Sequence, residues 1–281
     1  MIHICFLFPL FLFSHCRSEI LLLPLSPTPP QQTSPQLNFN LSTKMSLSNI
    51  FAFDKWNFVT RSVIENLSEN DYDFLITSQG KKPYKKGELL FKEDEIPKGI
   101  FYIHKGLVKK FKQLPVTEQT LYIAGSGELI GYQAALEEEG YPDSAVTLQP
   151  SLITFIPSSV FFDLLKKSWD FNMSIHKVSG HAFRVQENFE TLFSKGTSPQ
   201  KLSIALIIFR EKSKEGDVTG DSALINIKQA DICSLAGISD DTLQRNLKEW
   251  EDNKIIAREG RKIWVKDLKR LVEMTAWPKK E

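Results

Sequence analysis

Asn226–Ile256, NIKQADICSLAGISDDTLQRNLKEWEDNKII, carries two helical patterns separated by a three-residue break. Ile227 and the run Ala230–Ala236 make a short amphipathic helix, Gly237-Ile238-Ser239 a tight turn, and Asp240–Asn253 a second helix with Leu243, Leu247 and Trp250 on one face. Gly237 suits the turn because a residue without Cβ enters positive φ at little cost. Ser239 can cap the second helix by accepting from its free backbone N–H groups. Downstream, Ile255-Ile256-Ala257 and Lys262-Ile263-Trp264-Val265 flank Arg258-Glu259-Gly260-Arg261, a β-hairpin with a basic tip. Together these parts read as a winged helix-turn-helix, an arrangement that lays its second helix in the DNA major groove.

Upstream, the chain changes period. Glu88–Phe91, Ile100–Lys105, Gly106–Lys112, Thr120–Ala124, Glu128–Ile130, Ser144–Leu148 and Leu152–Ile156 are strand-sized runs punctuated by Gly, Pro and Asp. That spacing predicts an antiparallel sandwich or jelly roll, not a parallel α/β sheet. Between roll and winged helix, Ser158-Ser159 can cap a helix through Phe161–Leu165, and a longer helix is expected from about Asp170 to Lys195. The fold class is therefore α+β: a β jelly-roll domain, a long helix and a C-terminal winged helix-turn-helix.

The phrases Lys86-Gly87-Glu88, Phe101-Tyr102-Ile103-His104-Lys105-Gly106, Gly127-Glu128-Leu129-Ile130-Gly131 and Ala230-Asp231-Ile232 through Ile256 stand in an order that resembles the family of the cyclic-AMP receptor protein and the FNR regulators. The resemblance runs roughly from Phe74 to Val265. It implies a cyclic-nucleotide-binding-like roll over residues 45–157, a dimerisation helix over 158–196 and a DNA-binding domain over 197–281. It also implies double-stranded DNA, a second copy of the chain and RNA polymerase as partners, and a cytoplasmic protein without stable membrane association.

Residues 1–44 do not fit that plan. MIHICFLFPLFLFSHC is an apolar run followed by a Pro-, Ser-, Thr- and Gln-rich stretch of disorder-like composition. The run is short for a membrane span. It also lacks the preceding positive charge and the small-residue cleavage site of a signal peptide. The functional chain is therefore expected to begin at Met45, with a membrane-tethered regulator as the alternative. Of three cysteines, Cys5 and Cys16 fall in this leader and Cys233 in the first helix of the helix-turn-helix. One cysteine in the globular part excludes an internal disulfide there and a cluster held by four thiolates; packing is its expected role.

In the cyclic-nucleotide binders of the family, a short helix and loop hold the phosphate through backbone N–H groups and an Arg, and a Glu accepts from the ribose. The matching segment here is Gly131–Ala145. Tyr132 stands in place of the Glu and Asp143 in place of the Arg, with Glu137, Glu138 and Glu139 adding negative charge. A buried phosphate needs a fixed cation and free donors, so the sensor is expected not to take cyclic AMP, and no cofactor is expected. Either the segment merely closes the roll, or it holds an uncharged or differently shaped effector near Tyr132, Gln133 and Ser144.

Along the long helix, Ile175, Val178, Ala182, Val185, Phe189 and Leu192 are spaced 3, 4, 3, 4, 3. This is the stripe of a coiled-coil seam and predicts a homodimer interface; a helix packed on its own domain is the alternative. Gly196-Thr197-Ser198-Pro199 breaks the helix and provides a hinge.

A net charge of +1 gives no global electrostatic field, but Thr242–Lys280 holds 11 Lys and Arg against 6 Asp and Glu, so the DNA-facing end is basic. Ser239, Asp241, Gln244, Arg245 and Lys248 are the candidate contacts of the second helix, and Arg258, Arg261 and Lys262 those of the wing. By resemblance, Arg245 matches an Arg that reaches bases. Asp240 replaces another, and two acids in a first turn also suit the helix dipole. The sequence has no GxSxG, GK[ST] or HExxH motif, and His176 and His181 are five apart, off a shared helix face. These features point away from an enzyme and toward a sequence-specific DNA-binding transcription regulator. The alternative is a sensing or interaction module whose winged helix binds a protein.

Overall fold

The computed structural model describes Trp56, residues 63–64, 67–214 and 224–276. The leader over residues 1–44 lies outside the described residues. Two four-stranded antiparallel sheets face each other. One has the order β1 (Lys82–Tyr84), β8 (Ser151–Pro157), β3 (Gly99–Lys105), β6 (Leu129–Ile130); the other has the order β2 (Leu89–Phe91), β7 (Ser144–Thr147), β4 (Val108–Gln113), β5 (Glu118–Ala124). All seven expected strands form, with ends shifted by one or two residues. The unexpected strand is β1, whose Lys-Pro-Tyr shows no apolar alternation. It lies at a sheet edge, where Pro83 sits opposite Leu152 and the missing N–H does least harm.

Phe91, Phe101, Ile103, Val108, Ile130 and Ile153 fill the space between the sheets. Phe91 stacks on Tyr141 at 3.9 Å between ring centroids, and the Tyr141 hydroxyl donates to the Gly99 carbonyl at 2.8 Å. Helix α1 (Glu69–Leu75) precedes the roll, capped by Ser68. Helix α2 (Tyr132–Glu137) lies between β6 and β7, and α3 (Ser158–Lys167) follows β8. Pro157 occupies the N-cap position of α3, so Ser158 and Ser159 begin that helix instead of capping it.

Helix α4 (Trp169–Lys195) then runs for 27 residues, with the Ser168 hydroxyl accepting from Phe171 N–H. The 3-4 stripe points inward. Ile175, Val185, Phe189 and Leu192 are all buried within a single protomer: Ile175, with Val178 against it, in the cluster under α3, the other three in the cluster shared with the C-terminal domain. Within the protomer these residues pack on its own domains, since 3-4 spacing demands an apolar partner without saying which one. Gly196 ends the helix, and the Thr197 N–H donates to Gln200 Oε1 at 2.7 Å to start α5 (Ser198–Lys212).

The C-terminal domain continues with β9 (Leu224–Asn226), α6 (Gln229–Ala236), α7 (Asp240–Asp252), β10 (Ile256–Glu259), β11 (Lys262–Val265) and α8 (Leu268–Met274). Its wing is a three-stranded antiparallel sheet in the order β10-β11-β9. Helix α5 is buried almost all round, from Leu202 through Phe209. Leu107, Ile123 and Leu148 of the roll join the same apolar cluster as Ile204, Ile208, Ile232 and Leu247, so one core spans the roll and the winged domain.

His104 on β3 shows how the roll handles a polar side chain. The Thr154 hydroxyl donates to the Gly80 carbonyl at 2.9 Å, so the 2.8 Å contact between His104 Nε2 and Thr154 Oγ1 needs the proton on Nε2. Burial first, and the Lys81 charge second, lower the His104 pKa to about 4. The unfolded chain then binds a proton near pH 6.5 that the folded chain refuses. Stability is accordingly full above pH 6.5 and falls as pH drops toward 4. His104→Gln, which keeps a donor for Thr154, is expected to flatten this slope in urea unfolding at pH 7 and pH 5.

Candidate DNA-binding interface and sensor cavity

Gly237, at φ +60°, closes α6 and makes the turn. A Cβ there would come within 2.8 Å of the Phe193 ring on α4, so both the conformation and the close approach need glycine. The Ser239 hydroxyl accepts from Thr242 N–H at 3.3 Å and donates to Thr242 Oγ1, which caps α7. Leu243, Leu247 and Trp250 are buried under α7, whereas Asp241, Arg245 and Lys248 are exposed. Asp240 and Asp241 occupy the first turn, at the positive end of the helix dipole.

Gln244 is half-buried. Its Nε2 donates to Gln229 Oε1 on α6 at 2.8 Å, and its Oε1 lies 3.5 Å from an Arg258 guanidinium nitrogen. Arg258 belongs to strand β10 and not to the hairpin tip. Its Nε and a terminal nitrogen donate to Glu251 Oε2 at 3.0 and 2.7 Å, and its backbone N–H donates to Glu251 Oε1 at 3.2 Å. Arg258 holds the Glu251 carboxyl below the usual carboxylate range. The tip proper is Gly260-Arg261, with Arg261 and Lys262 exposed. Of the three expected wing cations, Arg261 and Lys262 thus face solvent and Arg258 turns back to the recognition helix.

Between the roll and α4 lies a cavity of about 420 Å³ whose wall includes Tyr122, Glu128, Tyr132, Gln133, Asp143 and Ala182. Tyr132 is buried, and burial raises its hydroxyl pKa. Asp143 is buried too and pairs with Lys110 at 2.9 Å; burial pushes its carboxyl upward against the pull of that ammonium. Lys110 also reaches Gln133 Oε1 at 3.4 Å. Ser144 is not among the lining residues: its hydroxyl accepts from Glu93 N–H at 3.0 Å and ties β7 to the chain after β2. Glu137, Glu138 and Glu139 are exposed, as a solvated run should be.

The residues that sequence reading missed are those that join the domains. Lys109 on β4 is buried and pairs with Glu118 on β5 and, at 2.7 Å, with Asp231 on α6. The Ser234 hydroxyl on α6 lies 2.8 Å from both Thr120 N and Thr120 Oγ1 and donates to the Glu118 carbonyl. Lys212 at the end of α5 pairs with Glu128, which also accepts from the Tyr122 hydroxyl at 2.6 Å and from Gly125 N–H at 3.0 Å. No local pattern marks these contacts, since the partners stand 84 and 122 residues apart.

Residues 81–168 match the family profile of the cyclic nucleotide-binding domain, and residues 196–274 that of the Crp-like helix-turn-helix domain. The chain is 23% identical over 218 residues to the fumarate and nitrate reduction regulatory protein of Yersinia pestis, covering 76% of this chain and 86% of that protein. It is 22% identical over 205 residues to the transcriptional activator protein Anr of Pseudomonas protegens, covering 72% and 82%. Among solved structures, FixK2 from Bradyrhizobium japonicum superposes with a TM-score of 0.62 at 16% identity, over 71% of this chain and 98% of that one. This last likeness is one of fold.

Removing one partner of a buried pair leaves the other charge without its counter-ion, which costs about 3–5 kcal/mol. Glu128→Ala should therefore destabilise the folded chain by about that amount in equilibrium urea unfolding, whereas Lys262→Ala, at an exposed contact of 3.9 Å to Glu259, should change it by less than about 1 kcal/mol.

Proposed function

Because the chain belongs to the Crp/Fnr family of DNA-binding transcription regulators, we propose that it acts as a homodimer that reads a two-fold operator and does not answer to cyclic AMP. The exposed face of α7 carries this reading: Asp241, Arg245 and Lys248 stand free of the core while Leu243, Leu247 and Trp250 anchor the helix behind them. An Arg at such a position can bridge guanine O6 and N7. Arg261 and Lys262 on the wing, with Lys254, are suited to phosphate. Base choice then rests on the helix and salt-dependent affinity on the wing. Contact with RNA polymerase at the bound promoter belongs to the same reading.

The dimer is assigned to the face of α4 that the protomer leaves open. Trp169, Met173, His176, Gly180, Phe183 and Glu187 follow each other at steps of 4 and 3, and Trp169 and Phe183 are 75% and 72% exposed. Two large apolar side chains held in water on one helix face favour a partner surface. Around Gly180, an added Cβ would meet nothing within 4 Å, which leaves room for a second helix to approach. Against cyclic AMP stands the charge of the cavity: the ammonium of Lys110 is already matched by Asp143, so a phosphate would have to displace a buried carboxylate. Among the described residues, no helix is long and apolar enough to cross a membrane.

The test is fluorescence anisotropy with DNA from the gene's own upstream region, across a salt series, with scrambled competitor and with or without cyclic AMP. Specific binding unchanged by cyclic AMP is expected; a cyclic-AMP-dependent rise in affinity overturns that part of the proposal. Arg245→Ala should relax base choice by about tenfold at one position per half-site. Arg261→Ala should weaken all sequences alike and lower the salt slope by about 1. Phe183→Glu should shift sedimentation from dimer to monomer, while an unchanged dimer would place the seam elsewhere.

A further inference from the structure

Gln244 sits on the base-facing helix with both ends of its amide engaged. The Gln244 carbonyl oxygen faces the Arg258 guanidinium at 3.5 Å, and one amide N–H is given to Gln229 at 2.8 Å. Glu251 takes three N–H groups of Arg258, two from the side chain and one from the backbone, and so fixes where that guanidinium points. Glu251 stands on the last turn of α7, seven residues before Arg258, so one carboxylate ties helix and wing together. Among the described residues, the second N–H of Gln244 has no partner.

A glutamine free to turn offers a donor and an acceptor side by side, which matches the N6 and N7 edge of adenine. A glutamine whose oxygen is occupied by a cation offers a donor alone. That donor suits edges that present acceptors alone, guanine O6 and N7 or thymine O4; at adenine it reaches N7 but leaves the N6 amino group unmet, and the amino group of cytosine rejects it. We propose that Glu251 is a positioning residue for sequence choice: through Arg258 it holds Gln244 as a hydrogen-bond donor, so that the base facing Gln244 is guanine or thymine in preference to adenine or cytosine. Glu251 itself need touch no base.

The inference rests on the DNA-reading function proposed above, and its test separates the two. Full-length wild-type protein, Glu251→Ala, Arg258→Lys, Gln244→Ala and the double variant Glu251→Ala/Gln244→Ala are each used to select binding sequences from a randomised duplex pool. Anisotropy is then measured on single-base variants of the selected site. The wild type should discriminate against adenine at one position per half-site. Glu251→Ala and Arg258→Lys, whose point charge cannot bridge Glu251 and Gln244, should each raise the relative affinity for adenine there by about tenfold. Positions read by Arg245 should stay as they were. With Gln244→Ala in the background, Glu251→Ala should no longer alter base preference, an interaction that a general loss of folding would not produce.

A wild type that selects a defined operator, with Glu251→Ala and Arg258→Lys leaving its base profile intact, overturns the clamp and leaves the DNA reader standing. The same holds if Glu251→Ala shifts the profile equally with and without Gln244. A wild type that enriches no sequence overturns the DNA-reading function, and the clamp with it.

Discussion

Lys109 and Lys212 carry positive charge to places almost without water, and each finds a carboxylate from the other side of the domain boundary. Lys109 lies between Glu118 of the roll and Asp231 of α6; Lys212, from the winged domain, lies against Glu128 of the roll. A buried ion must be matched where it stands, because sliding either domain by a few ångströms would strand it. Such pairs add little net stability over apolar substitutes. Their effect is to select one arrangement among the many that a continuous apolar cluster through Leu107, Ile123 and Leu148 would tolerate. With one side of α6 committed to β4 through Asp231 and to β5 through Ser234, the polar face of α7 is left outward.

The same constraint decides what α4 can do. A helix beside two domains that share a core must give them an apolar face, and Ile175, Val185, Phe189 and Leu192 do so. The opposite face of the helix, poorer in aliphatic residues and including Phe183 and Gly180, is left exposed. The break at Gly196–Pro199 is likewise less free than its composition implies. The segment beyond it is tied back to the roll at Lys109, Thr120 and Glu128, so motion at the break requires those contacts to part together.

How far the sequence could be read follows from the range of the interactions. The helix-turn-helix was readable because its determinants are local: Gly237 for the turn, Ser239 for the cap, and Leu243, Leu247 and Trp250 within one helix. The strands of the roll were readable for the same reason, β1 excepted, since an edge strand needs no apolar rhythm. The stripe on α4 was read as a dimer seam, with packing on its own domain as the alternative; within the protomer four of its six residues are buried, and periodicity records that a face is covered and nothing about the cover. Asp143 shows the limit most plainly. As a letter it is a bare negative charge; in the fold it is half of a pair with Lys110 on the neighbouring strand, 33 residues back along the chain. Arg258, read as a cation for phosphate, is satisfied by Glu251 across the end of a helix, where seven residues of separation give no recognisable spacing.

Charge at the DNA-facing end is therefore arranged more unevenly than the count of 11 basic and 6 acidic residues over Thr242–Lys280 implies. Arg258 is neutralised by Glu251. Asp240 and Asp241 sit where the dipole of α7 would otherwise attract a phosphate, and favourable placement of each there amounts to about 0.3–1 kcal/mol. An acidic first turn weakens any approach of the helix N-terminus to an anionic backbone, while Arg261, Lys262 and Lys254 are among the exposed cations at the wing and the helix end. Within the helix the free cations are Arg245 and Lys248, one turn further along, flanked by acids that penalise a misplaced phosphate. The polar face of α7 thus offers little net positive charge of its own, its two cations standing between Asp240-Asp241 and Glu249.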